Sequence, residues 1–253
     1  MIADILSIFA LLLILCIIPT AWLVYKRKIK FLNGVFLGTF LFLMSFGCSV
    51  YGVYLLEGYS PIDKMLSVAF ESMEAAFRSL PGITTGDLTA VMKIVETVKE
   101  MYVALIPSII VLFCLGWSYI LLMISKGILA LLKKDVSGFA RFCDFKMPKS
   151  TLFIAALTYI LHMIFDGKQI GFAFLNFSSI ILSVTTFCGI SVIDYKLRNK
   201  IRFSVLRFIV IILLIMALSL VFGDGTGIFM FIGMFDSVFN FRRNGKNNDT
   251  DVQ

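Results

Sequence analysis

The sequence predicts an all-α fold: a polytopic helical membrane bundle of about seven spans with an external amphipathic helical hairpin. Three observations predict it. Of the 253 residues, 59% are hydrophobic and only 15% charged, against about 25% charged in soluble domains, and a soluble fold of this length cannot hide that much apolar surface. Apolar runs near span length recur along the chain, without the alternation of outer-membrane strands. The basic residues, finally, concentrate in alternate loops.

In order, the spans are residues 2–25, 31–56, 101–125, 151–165, 170–193, 204–222 and 227–241. The first has no basic leader and no small-residue cleavage site, so it reads as a retained span rather than a signal peptide. The runs 151–165 and 227–241 are short against the roughly 20 residues of a straight span. They need interfacial flanks or local thinning of the bilayer. Residues 1–241 form a single membrane domain, and the polar tail 242–253 follows it.

With the N-terminus outside and the C-terminus cytoplasmic, 18 of the 23 Lys and Arg residues fall on the cytoplasmic side, and only Lys64, Arg78, Lys93, Lys99 and Lys168 fall outside. Every loop agrees with that orientation, which also supports the span count. The net charge of +7 therefore reports orientation, not a nucleic-acid surface. The outer loop is helical. Ser60-Pro61-x-Asp63 is a helix start, with a capping hydroxyl and proline at the first position. Amphipathic spacing then predicts helices over about 61–80 and 87–100, the second running into the third span. On the inner side, Phe139, Phe142 and Phe145 recur every three residues among basic groups, as an interfacial elbow before Pro148.

Charges at membrane depth are costly, so each is a candidate site. Asp236 lies close to the end of the last span. On a continuing helix it shares a face with Asn240 and Arg243, beside Arg242. The structural reading, an ion pair near the interface with a snorkelling arginine, outweighs a polar site or partner contact at the inner end of the bundle. In the fifth span, Asn176, Ser179, Ser183 and Thr186 form a polar stripe at helical spacing. It suits interhelical hydrogen bonding or a substrate-lined cavity. His162 is the one histidine, with Asp166 four residues on, and suits a local pair rather than a metal site. Gly34 and Gly38 form a GxxxG that permits close helix approach. The five cysteines are scattered, without a CxxC, and read as inert thiols, though Cys143 falls in the elbow, where a thiol reagent entering from the inner side would reach it. There is no hydrolytic constellation, metal-ligand cluster or phosphate loop, so the sequence points to no enzyme, cofactor or metal.

From about residue 105 to 243 the chain resembles the YybS-like family of bacterial membrane proteins. The stretches that carry the likeness are IPSIIVLFCLGWSYILLMISKGILALL, FCDFKMPKS, LNFSSIILSVTTFCGISVIDYKL with Asn176 and Gly189, and the closing IGMFDSVFNFRR with Asp236, Phe239, Phe241 and Arg242. The resemblance implies a bacterial cell membrane location. It also implies a fold related to the substrate-binding S-components of energy-coupling-factor transporters, although fold likeness transfers no activity. Two readings follow. One is a small-molecule-binding or transport protein of S-component type, binding through Asn176, Ser179 and Ser183 beneath the outer helices and relying on an energy-coupling partner. The other is a membrane scaffold or interaction protein whose basic cytoplasmic face binds another protein or anionic lipid.

Overall fold

The computed structural model describes residues 17–79, 85–165, 167–222 and 226–242. All of their regular structure is helical: α1 (residues 17–25), α2 (Phe31–Glu57), α3 (Pro61–Arg78), α4 (Thr85–Leu131), a 3-10 turn (Phe142–Asp144), α5 (Ser150–Ile164), α6 (Gln169–Arg198), α7 (Ser204–Phe222) and α8 (Thr226–Phe239). Where they are described, the helices fall within a residue or two of the expected spans, apart from α6, which runs five residues further, and α4, which joins the second outer helix to the third span as one continuous helix. Residues 2–16 of the first span lie outside the described residues. At 47 residues α4 is about 70 Å long, more than twice the ~30 Å hydrocarbon core. Three helices, α2, Thr89–Leu131 and α6, are long and apolar enough to cross a membrane, and α7 and α8 pass the same test only as a bent pair. The chain packs as two compact units, divided between Phe139 and Ala140.

In the first unit, α1, α2 and α4 enclose a core of Val24, Val35, Phe42, Cys114 and Leu122. The GxxxG of α2 brings them close. A methyl added to Gly34 would press on Val24, and one added to Gly38 on Ser118 of α4. The Ser118 hydroxyl instead donates to the Val35 carbonyl at 2.9 Å, so the close approach also satisfies a polar group in an apolar seam. Phe139 does not lie at the interface as expected. It is 4% exposed, packed beside Phe31, because residues 132–139 fold back onto this unit. Arg27 holds that return through an ion pair with Asp135 at 2.7 Å. The Ser137 hydroxyl and amide, then the Arg27 guanidinium, keep the Asp135 carboxyl below its usual range. At the far end Ser60 caps α3 as its sequence predicts, accepting from the Asp63 amide at 3.4 Å, and Gly58 ends α2 in the left-handed region at φ 73°. No residue of α3 is buried.

The second unit is built on α6, against which α5, α7, α8 and the 3-10 turn all pack. Its buried stripe is Ser178, Ile181, Thr185, Cys188 and Val192, at three- and four-residue steps. Where α8 crosses, both helices carry glycine. A methyl on Gly189 would sit 2.6 Å from the Phe229 carbonyl carbon, and one on Gly233 would sit 2.9 Å from the Gly189 amide nitrogen. The two backbones therefore touch, as small-residue crossings in membranes allow. α7 buries only Ile211 among its described residues and offers its other faces to lipid.

Gly189→Ala and Gly233→Ala should each cost about 1–3 kcal/mol, because backbone cannot rotate away from the added methyl. Gly116→Ala on α4, where the new atom meets nothing within 4 Å, should be neutral or slightly stabilising. Thermal unfolding in a mild detergent reads both. Equal effects at the three positions would contradict the close crossing.

Candidate functional site: a buried aspartate–arginine pair

The most concentrated polar chemistry of the second unit lies where α8 ends, against the last turns of α6 and the turn 142–145. α8 stops at Phe239, and Asn240 takes a left-handed conformation at φ 55°. The expected continuation of helical spacing from Asp236 to Arg243 therefore fails. The turn swings Arg242 back, and its guanidinium meets the Asp236 carboxylate at 3.1 Å. Arg243 lies outside the described residues. Nor does Arg242 snorkel: the two side chains are 10% and 2% exposed.

A guanidinium out of water needs acceptors, and the fold supplies them. Arg242 Nη1 donates to the Cys143 carbonyl at 2.6 Å and to Ser191 Oγ at 3.1 Å, while Nη2 reaches the Cys188 carbonyl at 3.5 Å. Ser191 Oγ in turn lies 2.7 Å from the Phe142 carbonyl and 3.1 Å from that of Phe145, between which it shares its one proton. The Tyr195 hydroxyl donates to the Arg242 carbonyl at 3.1 Å. Cys188, Ser191 and Tyr195 are three and four residues apart, so a single stripe of α6 holds both the arginine and the turn. Two buried atoms, Asp236 Oδ1 and Arg242 Nε, have no hydrogen-bond partner. A second such pair lies nearby. Arg207 Nε donates to Asp194 Oδ1 at 2.7 Å, with both side chains about nine-tenths buried, and Nη1 caps the carbonyls of Ile201 and Arg202 at 3.1 Å. It closes the turn between α6 and α7.

The other expected residues lie apart from this cluster. Asn176 is half-buried and donates to the Phe172 carbonyl of its own helix at 2.8 Å. Ser179 and Ser183 are half-buried as well. The buried polar line of α6 is Ser178, Thr185 and Ser191, and of the expected stripe Thr186 also spends its hydroxyl on its own helix, at the Leu182 carbonyl. His162 Nδ1 lies 3.1 Å from the Gly171 carbonyl, and Asp166 is outside the described residues. No group of three or more His, Cys, Asp or Glu residues suited to a metal occurs among the described residues. Asn240 accepts from Lys146 across the mouth of an open cleft of about 440 Å³, formed by residues 146–149 and 237–240. Sequence reasoning passed over Ser191 and Asp194. Asp194 carried a usable signal, an acid in the apolar run GISVID just before basic residues, with Arg207 beyond the turn. Ser191 carried none, because its partners are backbone carbonyls.

A family model described as a predicted membrane protein, DUF2232, matches residues 1–237. No curated protein and no solved structure matches the chain.

Because the Arg242 side chain is only 10% exposed, removing its partner leaves a largely buried charge uncompensated. Asp236→Ala should therefore cost about 3–5 kcal/mol, more than an interfacial pair would. Asp236→Asn should be milder, and the double variant Asp236→Leu/Arg242→Met should recover most of the loss. Thermal unfolding reads all three, and a cost under about 1 kcal/mol for Asp236→Ala would contradict the buried pair. Cys143 gives a second check. It is 1% exposed, and burial, then the neighbouring Asp144 and Asp194 charges, push its thiol upward, so it is not the accessible label its place in the elbow suggests. It should resist maleimide in the folded protein at neutral pH and react on denaturation. Rapid labelling of the folded state would count against the packing around it.

Proposed function

Because the chain belongs to the DUF2232 family of predicted membrane proteins, we propose that it is a non-enzymatic membrane protein that works by binding a partner at its basic end. The observation that carries this reading is the open cleft at the end of α8. Lys146 and Lys149 line it, and Asp236, Arg242 and Ser191 fix the backbone beside it. A rigid, cationic, accessible surface at a helix end suits recognition. No nucleophile–base pair accompanies it among the described contacts, and proton transfer or acyl chemistry would need one.

The small-molecule reading, with its likeness to YybS-like proteins and to S-components, asked for a cavity beneath the outer helices lined by Asn176, Ser179 and Ser183. It has less support. α3 buries no side chain, and the Asn176 amide donates to its own helix. We place the basic end in the cytoplasm of a bacterial cell, because 18 of 23 basic residues then lie on one side.

Two measurements test the proposal. A C-terminal fusion to a reporter active only outside the cytoplasm should stay silent, and strong activity would reverse the orientation. Mass spectrometry of what extracts with the protein in mild detergent should find a macromolecular or lipid companion. A stoichiometric, tightly held metabolite would instead favour the transport reading.

A further inference from the structure

We propose that the cleft formed by residues 146–149 and 237–240 is a docking site for the headgroup of an anionic phospholipid. This rests on the reading that the basic end is a binding face, and it names the occupant. Four observations converge on it.

The first is depth. α5 begins at Ser150 and α8 ends at Phe239, and the cleft lies between these two helix ends. Ends of apolar helices sit at the headgroup level, where the hydrocarbon core gives way to water. The second is charge. Lys146 and Lys149 both line the cleft, and neither makes an ion pair among the described residues. The nearby acids are already engaged: Asp236 with Arg242, Asp194 with Arg207, and Asp144 with Arg141 at 4.0 Å. The Lys149 ammonium, and the two protons that Lys146 does not give to Asn240, are thus left for an outside anion. The start of α5 carries no side-chain cap, so its helix dipole adds to the attraction. The third is hydrogen bonding. Asn240, held in a left-handed turn, accepts from the Lys146 ammonium through its side-chain oxygen, which fixes that ammonium at the cleft and leaves its other protons and the Asn240 NH2 as donors for a phosphate oxygen.

The fourth observation separates a lipid from a free anion. The cleft wall at Val238 and Phe239 is continuous with an aromatic ladder, in which Phe235 stacks on Phe239 at 6.0 Å and Phe239 on Phe241 at 6.2 Å. Phe235 and Phe239 are more than half exposed. A soluble phosphate has no use for that surface, whereas an acyl chain descending from a seated headgroup would lie along it. The cleft's volume, about 440 Å³, falls within the ~300–1,000 Å³ range of small-molecule sites.

The test uses the full chain in mild detergent, offered equimolar phosphatidylglycerol and phosphatidylcholine of matched chains, with retained lipid counted by native mass spectrometry. The wild type should retain the anionic lipid about tenfold over the zwitterionic one, because both lysines favour a headgroup of net negative charge, without the choline cation of phosphatidylcholine. Lys146→Gln/Lys149→Gln should bring that ratio within about twofold of unity. Lys196→Gln/Lys200→Gln, which removes the same charge elsewhere on this unit, should keep it. If the first double variant fails to fold, Lys149→Gln alone, at an exposed position, should lower the ratio about threefold. Equal retention of the two lipids by the wild type, or a preference that survives loss of both cleft lysines, would overturn the proposal. In that event, a protein companion still captured at the basic end would leave the broader binding reading standing. Loss of both would remove that reading too.

Discussion

An arginine held nine-tenths out of water needs acceptors around it, and that requirement organises the second unit. Arg242 takes up a carboxylate from α8, two carbonyls and a hydroxyl, drawn from α6 and from the turn at residues 142–145. Each acceptor is fixed only if its element is in place. α8 must lie on α6, so Gly189 and Gly233 have to be glycine where the backbones touch. The elbow must curl over the end of α6, so Ser191 bridges two of its carbonyls. The net stability from such a pair is small, because desolvation offsets most of the Coulomb attraction. Its effect is specificity: other arrangements of the turn strand a buried charge. Sealing the pair also silences the nearby acid and leaves the outward lysines as the chemically available groups.

The helices were legible because their length and hydropathy are local properties, while the structure gives three that are long and apolar enough to cross a membrane where the sequence suggests about seven spans. The start of α3 at Ser60-Pro61 and the end of α2 at Gly58 were legible for the same reason: caps are set by a few neighbouring residues. The GxxxG at Gly34 and Gly38 was read as a close approach, though only the structure shows that Val24 and Ser118 fill it. The polar site was half legible. Asp236 stands out in any apolar run, and Arg242 was flagged beside it. The pairing went to Arg243 because helical periodicity was carried past Phe239, and nothing in the composition announces that Asn240 turns the chain. The elbow was harder still. Its three phenylalanines look alike in sequence, yet Phe139 joins the core of one unit while Phe142 and Phe145 lend carbonyls to the other.

Two buried Asp–Arg pairs at one end of a membrane unit, each closing a turn, suggest a division of labour along the chain. The apolar helices set position in the bilayer. The paired charges set the shape of the loops that emerge from it, at Ile201–Arg202 and at 142–145. On the proposed reading, function then falls to the residues those loops present, and for the elbow these are Lys146 and Lys149.

The most direct measurement of this account is amide hydrogen exchange over residues 140–149, compared between the wild-type protein and Arg242→Met in the same detergent. The account predicts that the wild-type elbow is protected. It also predicts that the variant loses that protection while the middle of α6 keeps its own, because Arg242 and Ser191 tie the elbow's carbonyls to α6, whereas its own backbone bonds, Asp144 to Arg141 and Phe145 to Phe142, are those of a single turn. Unchanged protection of residues 140–149 in Arg242→Met would contradict the claim that the buried arginine shapes this surface.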